Sequence, residues 1–124
     1  MKNLLGLDFG TKKIGLAVSI RGIISPLNTV DNNDQAFVDI VQICQKYQIG
    51  KIYIGLCRGS IALLAGKFIK KLKSQISLPI QTVEETASTI EADQIFLTNK
   101  NKRKDYKNKI DSISAAVILR RVQI

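Results

Sequence analysis

The chain has 124 residues, 45% of them hydrophobic, with 19 Lys and Arg against 10 Asp and Glu and a formal net charge of +9. That length suits one domain over 1–124 with a substantial core, and it leaves no room for two full domains with a cleft between them. So basic a domain attracts polyanions, of which nucleic acid is the commonest; the plainer alternative is a solvated surface serving solubility.

Residues 4–9 and 14–20 read as two strands joined by a short glycine-containing turn, an antiparallel hairpin. Asp8 is the single carboxylate in the first apolar run. Burying it unpaired among Leu and Phe is costly or forces a pKa shift, so a cation is a natural partner. Arg21-Gly22 turns the chain into a third extended piece at 23–30, and Pro26 within it suits an edge strand. Asp31, Asn32, Asn33 and Asp34 form a turn and capping cluster ahead of an amphipathic helix. Its apolar stripe is Phe37, Ile40, Val41, Cys44 and Tyr47, and it ends before Gly50. A short strand at 51–55 follows, reached by a parallel crossover. Ser60 then caps a helix with Ile61, Ala65, Phe68, Ile69 and Leu72 on one face, which leaves Lys67, Lys70, Lys71 and Lys73 as a wet face.

A strand at 78–83 is closed by Glu84 and Glu85, and Ser88 with Glu91 predicts a helix running to about Leu97. The polar, basic run 98–109 reads as a mobile loop. The final helix spans 110–122, with Asp111, Ala115, Ile118 and Val122 on one stripe. A three-strand antiparallel meander followed by parallel crossovers defines an α/β fold, a mixed sheet with helices on both faces. No apolar run approaches the roughly 18–20 residues that cross a bilayer, and the chain enters its first strand without a charged leader. A soluble cytoplasmic protein with no membrane partner is therefore expected. The chain has no His, and Cys44 and Cys57 lack ligand spacing. This excludes a zinc site and a Cys-His nucleophile, and both cysteines read as buried thiols.

Each carboxylate has a plain structural reading. Asp8 suits a strand-end turn, Glu84 and Glu85 suit the approach to a helix N-terminus, and Asp111 suits an N3 position behind an Asn108 cap. Together, carboxylates from a first strand, a later strand end and a final helix converge at one end of a sheet. Like charges that close need a cation to remain ionised. Mg²⁺ or Mn²⁺ takes a few carboxylates plus phosphate oxygens, and two such ions roughly 3.5–4 Å apart activate water for phosphodiester cleavage. A basic protein with this cluster reads as a nuclease, with Asp8 shared between two ions. The Gly10-Thr11-Lys12-Lys13 turn beside it is either a phosphate contact or an ordinary hairpin turn.

Four blocks carry a family resemblance. They are Leu-Gly-Leu-Asp-Phe-Gly-Thr-Lys-Lys-Ile-Gly-Leu-Ala-Val-Ser at 5–19, Ile-Gly-Leu at 54–56, Glu-Glu-Thr-Ala-Ser-Thr-Ile-Glu-Ala at 84–92 and Ile-Asp-Ser-Ile-Ser-Ala-Ala-Val-Ile-Leu at 110–119. In order and over nearly the whole chain, these resemble the YqgF/RuvX family. Its members are small bacterial proteins of RNase H-like fold, described as Holliday junction resolvases and as nucleases that mature the 5′ end of 16S ribosomal RNA. The resemblance implies that Asp8 matches the family's first-strand aspartate and Asp111 the aspartate that opens its last helix. Glu84 and Glu85 match the Asp-Glu of an Asp-Glu-Arg triplet, with Glu85 favoured as the metal ligand over Glu84. Thr86 stands where the triplet has arginine, which removes a bidentate phosphate contact. The family's Gly-Leu-Pro block appears as Gly55-Leu56-Cys57-Arg58-Gly59-Ser60, shorter and without the proline. Arg58 and the basic residues Lys100, Lys102, Arg103, Lys104 and Lys107 are the groups available to hold phosphate instead, beside Thr11, Lys12 and Lys13.

The expected function is metal-dependent cleavage of structured nucleic acid, 5′-end processing of precursor 16S rRNA in ribosome biogenesis. The alternatives are a DNase of Holliday junction resolvase type and a non-catalytic nucleic-acid-binding protein. A further rival is ATP binding, since Asp-Phe-Gly-Thr in a first hairpin also resembles the phosphate turn of actin-like ATPases and sugar kinases. Those hold the nucleotide between two domains. Nothing in the sequence separates RNA from branched DNA, or a monomer from a homodimer.

Overall fold

A computed structural model describes residues 2–56, 60–84 and 103–123. β1 (Asn3–Phe9) and β2 (Lys13–Ile20) form the expected antiparallel hairpin, with Leu7 opposite Leu16 and Asp8 opposite Gly15. The turn between them is tight. A Cβ on Gly10 would stand 2.4 Å from the Lys13 carbonyl oxygen, closer than any side chain tolerates. Arg21 and Gly22, at φ 52° and 84°, make the two-residue turn whose twist matches the strands, and β3 (Ile23–Pro26) returns onto β2. Among the described strands β3 pairs only with β2, the edge setting in which Pro26 is tolerated. The stretch 23–30 is not one strand. The chain pairs with β2 again as β4 (Val30–Asp31), with Val30 opposite Ile14.

α1 (Gln35–Lys46) starts at the expected cluster, but Asn33 rather than Asp34 supports its first turn, accepting from the Gln35 amide at 3.0 Å. The helix ends before Gly50, as expected; the chain leaves it through Gln48, at φ 52°, and Gly50 already belongs to β5 (Ile49–Leu56). Asn3 braces this corner, its Nδ2 donating to the Tyr47 carbonyl at 2.7 Å. β5 runs parallel to β1, and β6 (Ile80–Glu84) runs parallel to β5 beyond α2 (Ser60–Gln75). The described strands form one six-stranded sheet in the order β3-β2-β1-β5-β6, with β4 beside β2. The meander followed by parallel crossovers is the predicted topology.

Strand alternation divides the molecule into layers. On one face Leu5, Leu7, Phe9, Leu16, Ile52 and Ile54 meet Phe37, Ile40 and Cys44 of α1 and Ala65, Phe68, Ile69 and Leu72 of α2. Phe68 lies 5.3 Å from Phe9 and 5.1 Å from Phe37, ring centre to ring centre. Each fully buried Leu or Ile side chain there contributes about 1.5–3 kcal/mol relative to exposure. The other face is covered by α3 (Arg103–Val122), whose Ala115, Ala116 and Leu119 pack on Ala17, with Leu4, Ile24 and Tyr53 around them.

α3 corrects the sequence reading. Residues 103–109, expected as part of a mobile loop, are helical. They contain neither Gly nor Pro, they are rich in the strong helix formers Lys and Arg, and Asp105 precedes Lys109 by one turn. Charge density suggested a loop, and helix propensity decided otherwise. Residues 98–102 and the helix expected over 88–97 lie outside the described residues. Cys44 is the buried thiol expected, and burial pushes its pKa up from 9.0 to about 11. Cys57 lies outside the described residues. No described helix is long and apolar enough to cross a membrane.

Candidate active site at the end of β1

The sequence of β1 alternates between two environments, and Asp8 belongs to the less crowded one. Leu5, Leu7 and Phe9 enter the core under α1 and α2, whereas Leu4, Gly6 and Asp8 occupy the pleat facing α3. Asp8 is half-buried and does not sit among the Leu and Phe that flank it in sequence.

Two residues before it, Gly6 sets how closely α3 approaches. A Cβ at Gly6 would lie 2.8 Å from the Ala115 carbonyl oxygen and 2.8 Å from Leu119 Cγ. The direction of α3 follows from its two polar anchors. At one end the Leu16 amide donates to Ser112 Oγ at 3.2 Å; at the other the Ser19 hydroxyl donates to Gln123 Oε1. Leu16 is level with Leu7 and Ser19 with Leu4, so α3 runs antiparallel to β1. Asp111 immediately precedes Ser112, and its backbone therefore arrives at the end of β1 that carries Asp8. From Ala115 back to residue 111 is about 6 Å of helix, matching the roughly 7 Å of strand from Gly6 to Asp8.

This placement removes the plain reading of Asp111. α3 begins at Arg103, so Asn108 is not its cap and Asp111 lies in its third turn. On the other side of β1, Asp8 is in register with Gly55, and Gly55 with Val83. Glu84, the last residue of β6, is level with Leu56, one step further along and therefore at a position of the opposite pleat. Glu85 lies outside the described residues, as do Thr86, Arg58, Lys100 and Lys102.

Thr11, Lys12 and Lys13 are exposed in the β1–β2 turn. Asn32 holds that turn in place: its amide donates to the Lys12 carbonyl at 2.9 Å and its Nδ2 to the Gly10 carbonyl at 2.7 Å. Arg103, Lys104 and Lys107 fall on the first turns of α3, whose N-terminal half leads to Asp111. Among the described residues no group of three or more His, Cys, Asp or Glu side chains stands ready to hold a metal. The donor chemistry nevertheless fits an oxygen-preferring divalent cation, because a half-buried carboxylate and a second carboxylate-bearing position converge at one strand end.

Sequence reasoning passed over Ser112. Leu16 uses its carbonyl to accept from the Leu27 amide at 2.8 Å, and its own amide faces the gap between β3 and β4. Ser112, fully buried, supplies the missing acceptor. The signal available was a Ser next to an Asp in the stretch 110–119, whose other residues except Ser114 are apolar.

A sheet of this order, with a helix laid antiparallel across its first strand, defines the RNase H-like class of resolvase folds. Thermus thermophilus RuvC superposes with a TM-score of 0.61 at 11% identity, covering 98% of this chain and 96% of that one. The Fowlpox virus resolvase, solved with its substrate Holliday junction DNA, gives 0.57 at 12% identity, covering 98% and 99%. The chain belongs to the RuvX family, described as Holliday junction resolvase, whose pattern matches residues 2–122. A Rickettsia typhi relative is 36% identical over 126 residues, covering 94% of this chain and 81% of its own length. One from Sulfurihydrogenibium is 36% identical over 129 residues, covering 96% and 88%. Both carry the name "Putative pre-16S rRNA nuclease". Family and relatives alike are named for phosphodiester hydrolysis.

Proposed function

We propose that this chain is a divalent-metal-dependent endonuclease for structured nucleic acid, working as one domain over 1–124 in the cytoplasm, and that its substrate is the 5′ extension of precursor 16S rRNA. The observation that carries this reading is the antiparallel seating of α3 on β1, which brings residues 8 and 111 to one end of the sheet in a RuvX-family chain. The relatives' names favour RNA, and the family's description supports a four-way DNA junction as the second reading.

Asp8, Asp111 and Glu85 are the ligand set, with Glu84 the alternative to Glu85. Glu84 falls on the pleat opposite to that of Asp8, which favours Glu85. Oxygen donors of this kind suit Mg²⁺ or Mn²⁺, a pair of which supplies activated water and offsets charge on the phosphate and the leaving oxygen. The protein's own part is to keep the carboxylates convergent through the Ser112 anchor and the Gly6 contact. Lys12 and Lys13 offset phosphate charge at the turn, and the Thr11 hydroxyl is a donor to a phosphate oxygen. Arg103, Lys104 and Lys107, with Arg58, Lys100 and Lys102, take the role of the arginine that Thr86 replaces.

The test is incubation of the purified protein with a 5′-extended 16S precursor and with a four-way DNA junction, each with and without Mg²⁺ or Mn²⁺. Metal-dependent scission on the 5′ side of the RNA is expected. Scission of the junction alone favours the second reading, and binding of both without cleavage under any divalent metal defeats the enzyme.

A further inference from the structure

A groove of about 310 Å³ opens between the β1–β2 turn and α2, on the side of the sheet away from Asp8. Its walls are Thr11 and Asn32 on one side and Leu64, Lys67 and Lys71 on the other, over a floor of Phe9, Phe37 and Phe68. The three rings are buried, so the floor is closed packing and the polar rim is what a ligand meets. Lys67, Lys70 and Lys71 stand at i, i+3 and i+4 and share one exposed helix face, with Lys73 at its margin. No Asp or Glu occurs anywhere between Asp39 and Glu84, so no acidic residue in α2 offsets these lysines. Among the described residues the counter-charge on this face is Asp34, 3.1 Å from the Lys71 ammonium and itself 97% exposed, a pairing too wet to neutralise the face. At the margin of the same face Gly66 has nothing within 4 Å of where a Cβ would be. The helix is thus open and low there, as a surface that receives another backbone needs to be.

We propose that the α2 face of Lys67, Lys70, Lys71 and Lys73, with the groove beside it, is a phosphate track that takes the sugar-phosphate backbone of the nucleic-acid substrate several nucleotides from the scissile bond. This rests on the nuclease reading. Charge complementarity selects the occupant: a helix face of four lysines, on a helix without Asp or Glu, fits a chain with one negative charge per nucleotide. Continuity with the site supports it as well, since Thr11 on the groove wall is three residues from Asp8. A strand leaving the end of β1 crosses the Thr11-Lys12-Lys13 turn and enters the groove. Leu64, 47% exposed on the rim, offers the sugars an apolar contact. What reads in sequence as a wet lysine face is then the continuation of the active site round the edge of the sheet.

The test is fluorescence anisotropy of a labelled, structured RNA without divalent metal, titrated at several salt concentrations. Wild type is compared with a Lys67→Gln, Lys70→Gln, Lys73→Gln triple variant. A second triple, Lys2→Gln, Lys46→Gln, Lys51→Gln, removes the same charge from the opposite end of the strands. Removing three phosphate contacts lowers the slope of log affinity against log salt by about 2–3 and weakens binding roughly tenfold or more at low salt. That result is expected for the α2 triple and not for the distal one, with thermal midpoints of both near wild type. An unchanged slope in the α2 triple, or equal losses in both triples, overturns the track while leaving the nuclease reading intact. Wild type that binds no nucleic acid defeats both. Affinity for anionic phospholipid vesicles that the α2 triple loses, with RNA binding unchanged, also overturns it.

Discussion

The Leu16 amide and the Ser112 hydroxyl, 3.2 Å apart and 96 residues apart in sequence, tie the last helix to the first hairpin at the level of the candidate site. The bond fills a position in the β2 ladder that neither β3 nor β4 reaches, and it fixes the residue that follows Asp111. Ser112→Ala leaves a buried amide without an acceptor, a loss of about 1–3 kcal/mol. Urea denaturation measures it. A stability equal to wild type would show that the anchor contributes nothing.

Gly6→Ala acts on the same interface from below. A Cβ 2.8 Å from the Ala115 carbonyl oxygen forces α3 outward, because backbone cannot yield as a side-chain tip does. Overpacking of this kind costs about 1–3 kcal/mol. Cleavage is expected to fall further than stability, since the displaced helix carries Asp111. Unfolding midpoint and single-turnover cleavage, measured at a temperature where the variant is folded, separate the two effects.

Cys44 gives a pH dependence with a definite sign. Burial raises its pKa to about 11 from 9.0, so the folded state favours the neutral thiol. The stability this carries is complete below pH 9 and is lost as pH rises towards 11, by about 2–3 kcal/mol for two units. Wild type is expected to lose more stability across that window than Cys44→Ala. Parallel curves for the two proteins would contradict it.

Much of this was legible in the sequence where pattern and packing agree. The 4–9 and 14–20 runs, the Pro26 edge and the α2 stripe are observed, as is the α1 stripe except at Val41, where Ala36 and Ile43 pack on the core instead. Alternation along β1 was legible too, but reading it as one apolar run hid the fact that Asp8 and Leu7 face different layers. The start of α3 was misread because a dense run of lysines signals solvent, and solvent-facing residues are as compatible with helix as with loop. The left-handed corner at Gln48 was not legible, since the Asn3 side chain that braces it comes from the far end of the sequence. Ser112 and Gly6 were not legible as site residues, since their roles exist only once α3 lies across β1.

We propose that Asp8 works at the scissile phosphate. The most direct test is single-turnover cleavage of a 5′-extended 16S precursor by wild type and Asp8→Asn in Mg²⁺, with RNA affinity measured alongside. Asp8→Asn is expected to bind RNA at least as tightly as wild type and to cut it at least about 100-fold more slowly, a loss of about 2.7 kcal/mol or more in transition-state stabilisation. Equal cleavage by the two proteins would contradict the account.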